Sequence, residues 1–318
     1  MIEIACSADA PYLPHVSVML HSVLTRTPTR PLRVWLTHDT ELPEEGRQRL
    51  QAVVEGQGAT IEYVTVPPAL MAGFSTKKFH AACWHRILLP DLLPQVDRIL
   101  YLDCDIIVAD DLTPLWETPL AGALFGAVCN PLFPLMRNWP KQDLGLDDPL
   151  DYLNSGVLLL DLRALRRVGL GDQLRDYSLR HPDRLLPEQD ALSDLMRGRW
   201  LKLHPRWNLQ TTFYDLPAWL LPFPRQIVRE ALARPAVIHY NGPFKPWQYL
   251  CKHPLRGLYF DHLQQTPWPR QPLERSSLPY RLIKPLPVTL QYRVFELRKL
   301  WRRLRSLFGR LASAFRPA

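Results

Sequence analysis

Paired cysteines are missing from this chain. Its five cysteines, Cys6, Cys83, Cys104, Cys129 and Cys251, are odd in number and widely spaced, with no Cys-x-x-Cys unit among them. That excludes a zinc ribbon or a dithiol redox motif and fits a reducing compartment. Long apolar runs are missing too. No stretch approaches the ~18 uncharged apolar residues of a membrane span, and the opening run Ile2 to Cys6 is interrupted by Glu3 with no basic segment before it, so neither spanning nor secretion is expected. The sequence has no Gly-rich dinucleotide fingerprint, no phosphate loop ending in Lys-Ser/Thr, no His-Glu-x-x-His, no Gly-x-Ser-x-Gly and no internal repeat. Dinucleotide enzymes, phosphate-loop NTPases, zincins and serine hydrolases lose their usual signatures with them.

What is present is a globular composition. The 318 residues are 47% hydrophobic and 22% charged, enough to bury a core and too mixed for a disordered or fibrous chain. The 32 prolines are about double the ~5% average and foretell many loops. Net charge is +8, yet residues 281–318 hold ten Lys/Arg against Glu296 alone, leaving 29 basic and 30 acidic residues elsewhere. The body is therefore near neutral and no nucleic-acid cleft is expected in it. Any polyanion binding belongs to the tail.

Apolar segments alternate with helix-like ones. Strands are expected at Ile2 to Cys6, Leu32 to Leu36, Ile61 to Val66, Arg98 to Leu102, Ala123 to Cys129, Val157 to Leu160 and Ala236 to Tyr240. Helices are expected near Val16 to Leu24, Glu44 to Val54, Lys77 to Leu89, Leu162 to Leu179 and Gln189 to Arg197. This order implies an α/β fold with a mostly parallel sheet covered by helices. Six prolines between Pro267 and Pro287 read as an extended spacer. Beyond it, apolar residues from Val294 to Phe315 recur at intervals of three and four with arginines between, a basic amphipathic helix. The domains expected are 1–266 for the body, 267–289 for the linker and 290–318 for the helix.

Four motifs could carry chemistry. In Leu100-Tyr101-Leu102-Asp103-Cys104-Asp105 an apolar strand ends in two carboxylates; alternation along extended backbone would aim both at one point, exposed in a crevice. Two hard oxygens there suit Mn²⁺ or Mg²⁺, beside the strand ends where open α/β sheets bind ligands. Solvated loop carboxylates are the plain alternative. His239, before Tyr240-Asn241-Gly242-Pro243-Phe244-Lys245-Pro246-Trp247, could complete that site or be an ordinary hydrogen-bonded core histidine, while Gly242 and Lys245 suit a phosphate. Asn154-Ser155-Gly156 could fix a hydroxyl-rich ligand or form a turn before a strand. Pro187-Glu188-Gln189-Asp190 opens a helix, and Glu188 by itself reads as N-terminal dipole compensation.

In this order and spacing, the four motifs resemble glycosyltransferase family 8, and most closely its bacterial branch of lipopolysaccharide and lipooligosaccharide galactosyl- and glucosyltransferases. The resemblance covers roughly residues 1–260. It implies a GT-A fold and retaining transfer of a hexose, galactose or glucose, from a UDP-sugar to a glycan or glycolipid acceptor. It assigns Mn²⁺, or Mg²⁺, to Asp103, Asp105 and His239. The nucleotide would meet Ser7, Asp9, Tyr12, Asp103, Cys104, Gly242 and Lys245. The donor sugar would meet Arg86, Asp103, Asn130, Asn154, Ser155, Gly156, Gln189 and Asp190, with Gln189 and Asp190 as the catalytic pair, through either a covalent intermediate or front-face substitution. Two positions depart from many members: Ala8-Asp9-Ala10-Pro11 replaces an Asp-Asn pair, and Asn130 replaces an Asp.

The tail would then hold a cytoplasmic enzyme on the inner face of the inner membrane, meeting anionic lipid near a lipid-borne acceptor. Two other readings compete. A haloacid-dehalogenase-like phosphohydrolase also places an Asp-x-Asp after an apolar strand, although here Ile106-Ile107-Val108 returns at once to apolar residues. A non-catalytic membrane-bound UDP-sugar-binding protein would make the tail the functional part.

Overall fold

The structure is a computed structural model. It describes residues 1–39, 41–74, 81–131, 144–146, 148–184, 186–269, 271–287, 290, 291 and 294. The chain divides into two units, residues 1–243 with 254–270, and residues 244–253 with 271–318.

Among the described residues the first unit has ten strands: β1 Ile2–Ser7, β2 Leu32–His38, β3 Thr60–Thr65, β4 Arg98–Leu102, β5 Ile106–Val108, β6 Phe125–Cys129, β7 Leu153–Asp161, β8 Trp200–Lys202, β9 Leu209–Gln210 and β10 Val237–His239. Seven make one sheet, in the order β3-β2-β1-β4-β7-β6-β8. The pairs β3-β2, β2-β1, β1-β4 and β6-β8 are parallel, while β7 runs antiparallel to both neighbours. Helices cover both faces, so the strands need no polar side. Leu100, Leu102, Leu159 and Val157 pack with the helix Leu13–Arg26 on one face, and Tyr101, Leu158 and Leu160 with the helix Ala82–Leu92 on the other. This is the expected α/β architecture.

The second sheet, β5-β10-β9, was not legible as a sheet: β10 falls within the strand expected over Ala236 to Tyr240, but β5 and β9 are only three and two residues long. Strand β5 pairs antiparallel with β10, setting His239 opposite Ile106. Leu162 to Leu179, expected as one helix, is two, Leu162–Arg167 and Leu170–Arg180, broken where Gly169 takes φ +63°. Such a left-handed residue closes one helix and redirects the chain into the next.

In the second unit, Gln248 and Glu274 bridge two segments, and the Lys284 ammonium lies 4.0 Å from the Tyr249 ring centre. Part of the expected extended spacer is helical, over Leu278–Ile283. Pro279 is tolerated because it sits in the first turn, where an N–H would have no helical partner. The basic helix expected over 290–318 lies outside the described residues except for Leu290, Gln291 and Val294. No helix among the described residues is long and apolar enough to cross a membrane.

Candidate active site

Backbone pairing assembles the metal end. The peptide N–H of Asp103, just past β4, donates to the carbonyl of Gly156 in β7 at 2.9 Å. Tyr240 N–H donates to the Asp105 carbonyl at 3.0 Å, so the strand carrying His239 is clamped to the turn carrying the carboxylates. One ligand atom from each of Asp103, Asp105 and His239 lies within 4.8 Å of the others. His239 Nε2 is 3.2 Å from Asp105 Oδ1 and 3.9 Å from Asp103 Oδ2.

Two details of the sequence reading change here. The carboxylates converge because residues 103–105 form a turn between β4 and β5, and alternation along extended backbone has no part in it. They are also less exposed than expected: the side chains of Asp103, Asp105 and His239 are 22%, 10% and 2% accessible.

Gly156 is required for space. A Cβ there would overlap His239 Cε1 and come within 2.8 Å of Asp103 Oδ2 and 2.9 Å of His239 Nδ1. Two hard carboxylates and one imidazole nitrogen at this spacing fit a divalent cation such as Mn²⁺ or Mg²⁺.

Arg86 joins this end to the next. It is buried in the helix Ala82–Leu92, and its Nη2 pairs with Asp103 Oδ1 at 2.9 Å. Its Nη1 donates to the Ser155 carbonyl at 2.8 Å and to Ser155 Oγ at 3.0 Å. The guanidinium lies 4.7 Å from the Tyr101 ring centre, and the Tyr101 hydroxyl donates to Asp103 Oδ1 at 3.1 Å. Burial works against its charge, but Asp103, Tyr101 and Glu188 outweigh that and hold its pKa above the usual arginine range.

The sugar end is the first turn of the helix Pro187–Leu195. Gln189 Oε1 accepts from Ser155 N–H and from Asn154 Nδ2, each at 3.4 Å. Asp190 Oδ1 accepts from the Tyr152 hydroxyl at 2.6 Å, and burial raises Asp190 to about 7 although that bond opposes the shift. Glu188 lies in the first turn, where its carboxylate offsets the helix dipole as expected, and it also joins the site. It is buried, accepts from Ser155 Oγ at 3.4 Å, and has its pKa raised by burial against the pull of Arg86. Among the described residues Glu188 Oε2, Gln189 Nε2 and Asp190 Oδ2 are buried without hydrogen-bond partners. Such atoms cost free energy unless something fills them, and three on one helical turn mark a site for a polar ligand.

Ser7 bonds Thr37 through their hydroxyls at 2.8 Å. Asp9 precedes the turn Ala10–Tyr12, and Tyr12 is 42% exposed with its ring edge-on to His15. His15, in the helix Leu13–Arg26 and bonded to the Tyr259 hydroxyl at 2.7 Å, is lowered to about 4 by burial against the opposing pull of Asp105. Asn130 is buried, with its N–H donating to the Tyr152 carbonyl at 2.7 Å. Cys104 occupies the turn between the two carboxylates. Gly242 belongs to the first unit and Lys245 to the second.

Sequence reasoning missed Tyr152 and Asn208. Asn208 is completely buried, accepts from His239 Nδ1 at 2.8 Å and donates through Nδ2 to Asn154 Oδ1 at 2.8 Å. An asparagine between Trp207 and Leu209 was the available signal, since a polar side chain amid apolar neighbours needs partners.

Two carboxylates that follow β4 of one sheet and the imidazole of β10 in the other thus stand beside buried polar side chains with unmet hydrogen bonds. The galactosyltransferase LgtC, solved with donor and acceptor sugar analogues, matches with a TM-score of 0.74 and 28% identity over 84% of this chain and 97% of its own. General stress protein A of Bacillus subtilis is 28% identical over 84% of this chain and 95% of its own length. The lipopolysaccharide 1,2-glucosyltransferase of Escherichia coli is 26% identical over 84% and 79%. The family model described as glycosyl transferase family 8 matches residues 3–251, and the chain belongs to that family.

Proposed function

We propose that this glycosyltransferase moves a hexose, galactose or glucose, from a UDP-sugar to a hydroxyl of a lipopolysaccharide or lipooligosaccharide core, or of another cell-surface glycolipid, with retention and with Mn²⁺ or Mg²⁺ bound. One observation carries the reading. The Asp103-Asp105-His239 cluster and the partnerless polar atoms of Glu188, Gln189 and Asp190 are joined through Arg86, Ser155 and Asn154 into one site. The donor and acceptor analogues bound by LgtC and the substrate named for the Escherichia coli relative support the same class.

Asp103, Asp105 and His239 would hold the cation, which when bound offsets the charge of the departing diphosphate. Tyr12, exposed at the loop's end, suits stacking on uridine, with Ser7 and Asp9 beside it. Cys104 and Gly242 would meet the diphosphate. Arg86, Asn130, Asn154, Ser155, Gly156 and Gln189, together with Glu188, would surround the sugar. The bond from the anomeric carbon to the diphosphate oxygen breaks and one to the acceptor oxygen forms, while the acceptor proton leaves with the diphosphate. Asp190 is fully enclosed and held by Tyr152, which favours front-face substitution beside Gln189 over a covalent bond to Asp190. Mass spectrometry of acid-quenched enzyme should find no hexose on Asp190; an adduct there overturns the front-face route.

A panel of UDP-sugars with Mn²⁺, scored for hydrolysis and for transfer to a lipid-borne oligosaccharide, tests the whole reading. Turnover of UDP-galactose or UDP-glucose is expected, and phosphatase activity without any sugar donor overturns it. The same reading places the enzyme on the cytoplasmic face of the inner membrane through residues 290–318. Deleting them should release it from anionic vesicles and spare UDP-sugar hydrolysis; unchanged sedimentation overturns that placement.

A further inference from the structure

Backbone N–H groups can only donate, so they settle side-chain orientations that electron-equivalent atoms leave open. Gly156 N–H donates to Asn154 at 3.0 Å, which makes the receiving atom Oδ1. The Asn208 atom 2.8 Å from that same Oδ1 must then be the donor Nδ2, and the atom it turns toward His239 must be Oδ1. That oxygen lies 2.8 Å from His239 Nδ1 and can only accept. His239 therefore donates through Nδ1–H to Asn208, and Nε2 is the nitrogen it turns toward Asp105 and Asp103.

On its other side Asn154 donates through Nδ2 to Gln189 Oε1, which also accepts from Ser155 N–H. The chain of bonds thus runs from a metal-site imidazole to the sugar end, and Asn208 is its buried link.

We propose that Asn208 is a positioning residue with two tasks: it fixes the tautomer of His239 that leaves Nε2 open to a divalent cation, and through Asn154 it orients Gln189. The proposal rests on the reading of His239 as a metal ligand. Outer partners of this kind are worth about 10–100-fold in metal affinity.

Three measurements on the full-length protein test it. Nitrogen-15 chemical shifts of the metal-free protein, with His239 assigned by comparison with His239→Gln, should report a proton on Nδ1; an unprotonated Nδ1 overturns the first task whether or not metal binds. Direct Mn²⁺ binding, read by the electron paramagnetic resonance of free Mn²⁺, should weaken about 10–100-fold in Asn208→Leu, whose acceptor is gone. In Asn208→Asp a carboxylate oxygen still receives the His239 N–H but nothing donates to Asn154. Its Mn²⁺ affinity should stay within about threefold while kcat for UDP-hexose hydrolysis falls about tenfold at little-changed KM. Equal Mn²⁺ affinity in Asn208→Leu and the natural protein overturns the first task, and an unchanged kcat in Asn208→Asp overturns the second. Failure of the natural protein itself to bind Mn²⁺ would instead overturn the metal reading. If Asn208→Leu does not fold, the nitrogen-15 measurement and Asn208→Asp still decide.

Discussion

The two ends of the active site are stabilised in opposite ways. At the metal end, main-chain bonds from three strands and side-chain bonds from Arg86, Tyr101 and Asn208 hold Asp103, Asp105 and His239 in place. At the sugar end, three consecutive residues on one helical turn each keep a buried polar atom without a partner. Rigidity is thus spent where a small ion demands fixed geometry, and unmet hydrogen bonding is left where hydroxyl groups can supply it. The first end should fail when its scaffold is altered, and the second should respond to ligand and to pH.

The largest effect is expected from Asp105→Asn or His239→Ala. Losing a ligand at the pre-organised end should lower transfer by about three orders of magnitude, about 4 kcal/mol of barrier, with the fold kept. Near-normal turnover in both variants would break the contrast at once. Gly156→Ala comes next: its methyl group must displace His239 or Asp103, so Mn²⁺ affinity should drop up to about a hundredfold in a binding titration.

The sugar end is probed by pH. Because Asp190 titrates near 7 in the folded protein and near 3.8 unfolded, the native state keeps a proton that the unfolded chain has released. That contribution is complete below the unfolded value and is lost as pH rises through about 7. Between pH 5 and pH 8 the natural protein should lose about 2–3 kcal/mol more unfolding free energy than Asp190→Asn, measured by urea denaturation. Parallel curves for the two would show that Asp190 stays ionised. The smallest effect is a rise of a few degrees in melting temperature with UDP and Mn²⁺ together, exceeding that with ADP or NAD. A larger shift with ADP would count against the nucleotide assignment.

Much of this was legible in residue types at strand ends. Leu100-Tyr101-Leu102 announced β4 with two carboxylates after it, whereas His239, which by itself reads equally as a core histidine, joined them only through the resemblance to family 8. What could not be read was how they meet, because the second sheet is made of strands too short to show a period. The second role of Glu188 was hidden for a related reason: an acidic residue in a first turn looks the same in sequence whether it faces water or is buried near an arginine. Asn208 belongs to no motif, and its value comes wholly from two partners, 54 and 31 residues distant along the chain. The break at Gly169 was available from the glycine itself.

The turn between β4 and β5 has a consequence for how this chain can vary. Surface loops ordinarily accept insertions and deletions because only their own backbone must adjust. Residues 103–105 form the whole connection between a strand of one sheet and a strand of the other, and both strands are held in register by their neighbours. Adding or removing one residue would slide one strand against its partner, turn its inward side chains outward and carry a carboxylate away from His239 in the same step. Chain length is therefore a tighter constraint at this position than residue identity at Cys104, and an alanine insertion there should cost the fold as well as the chemistry.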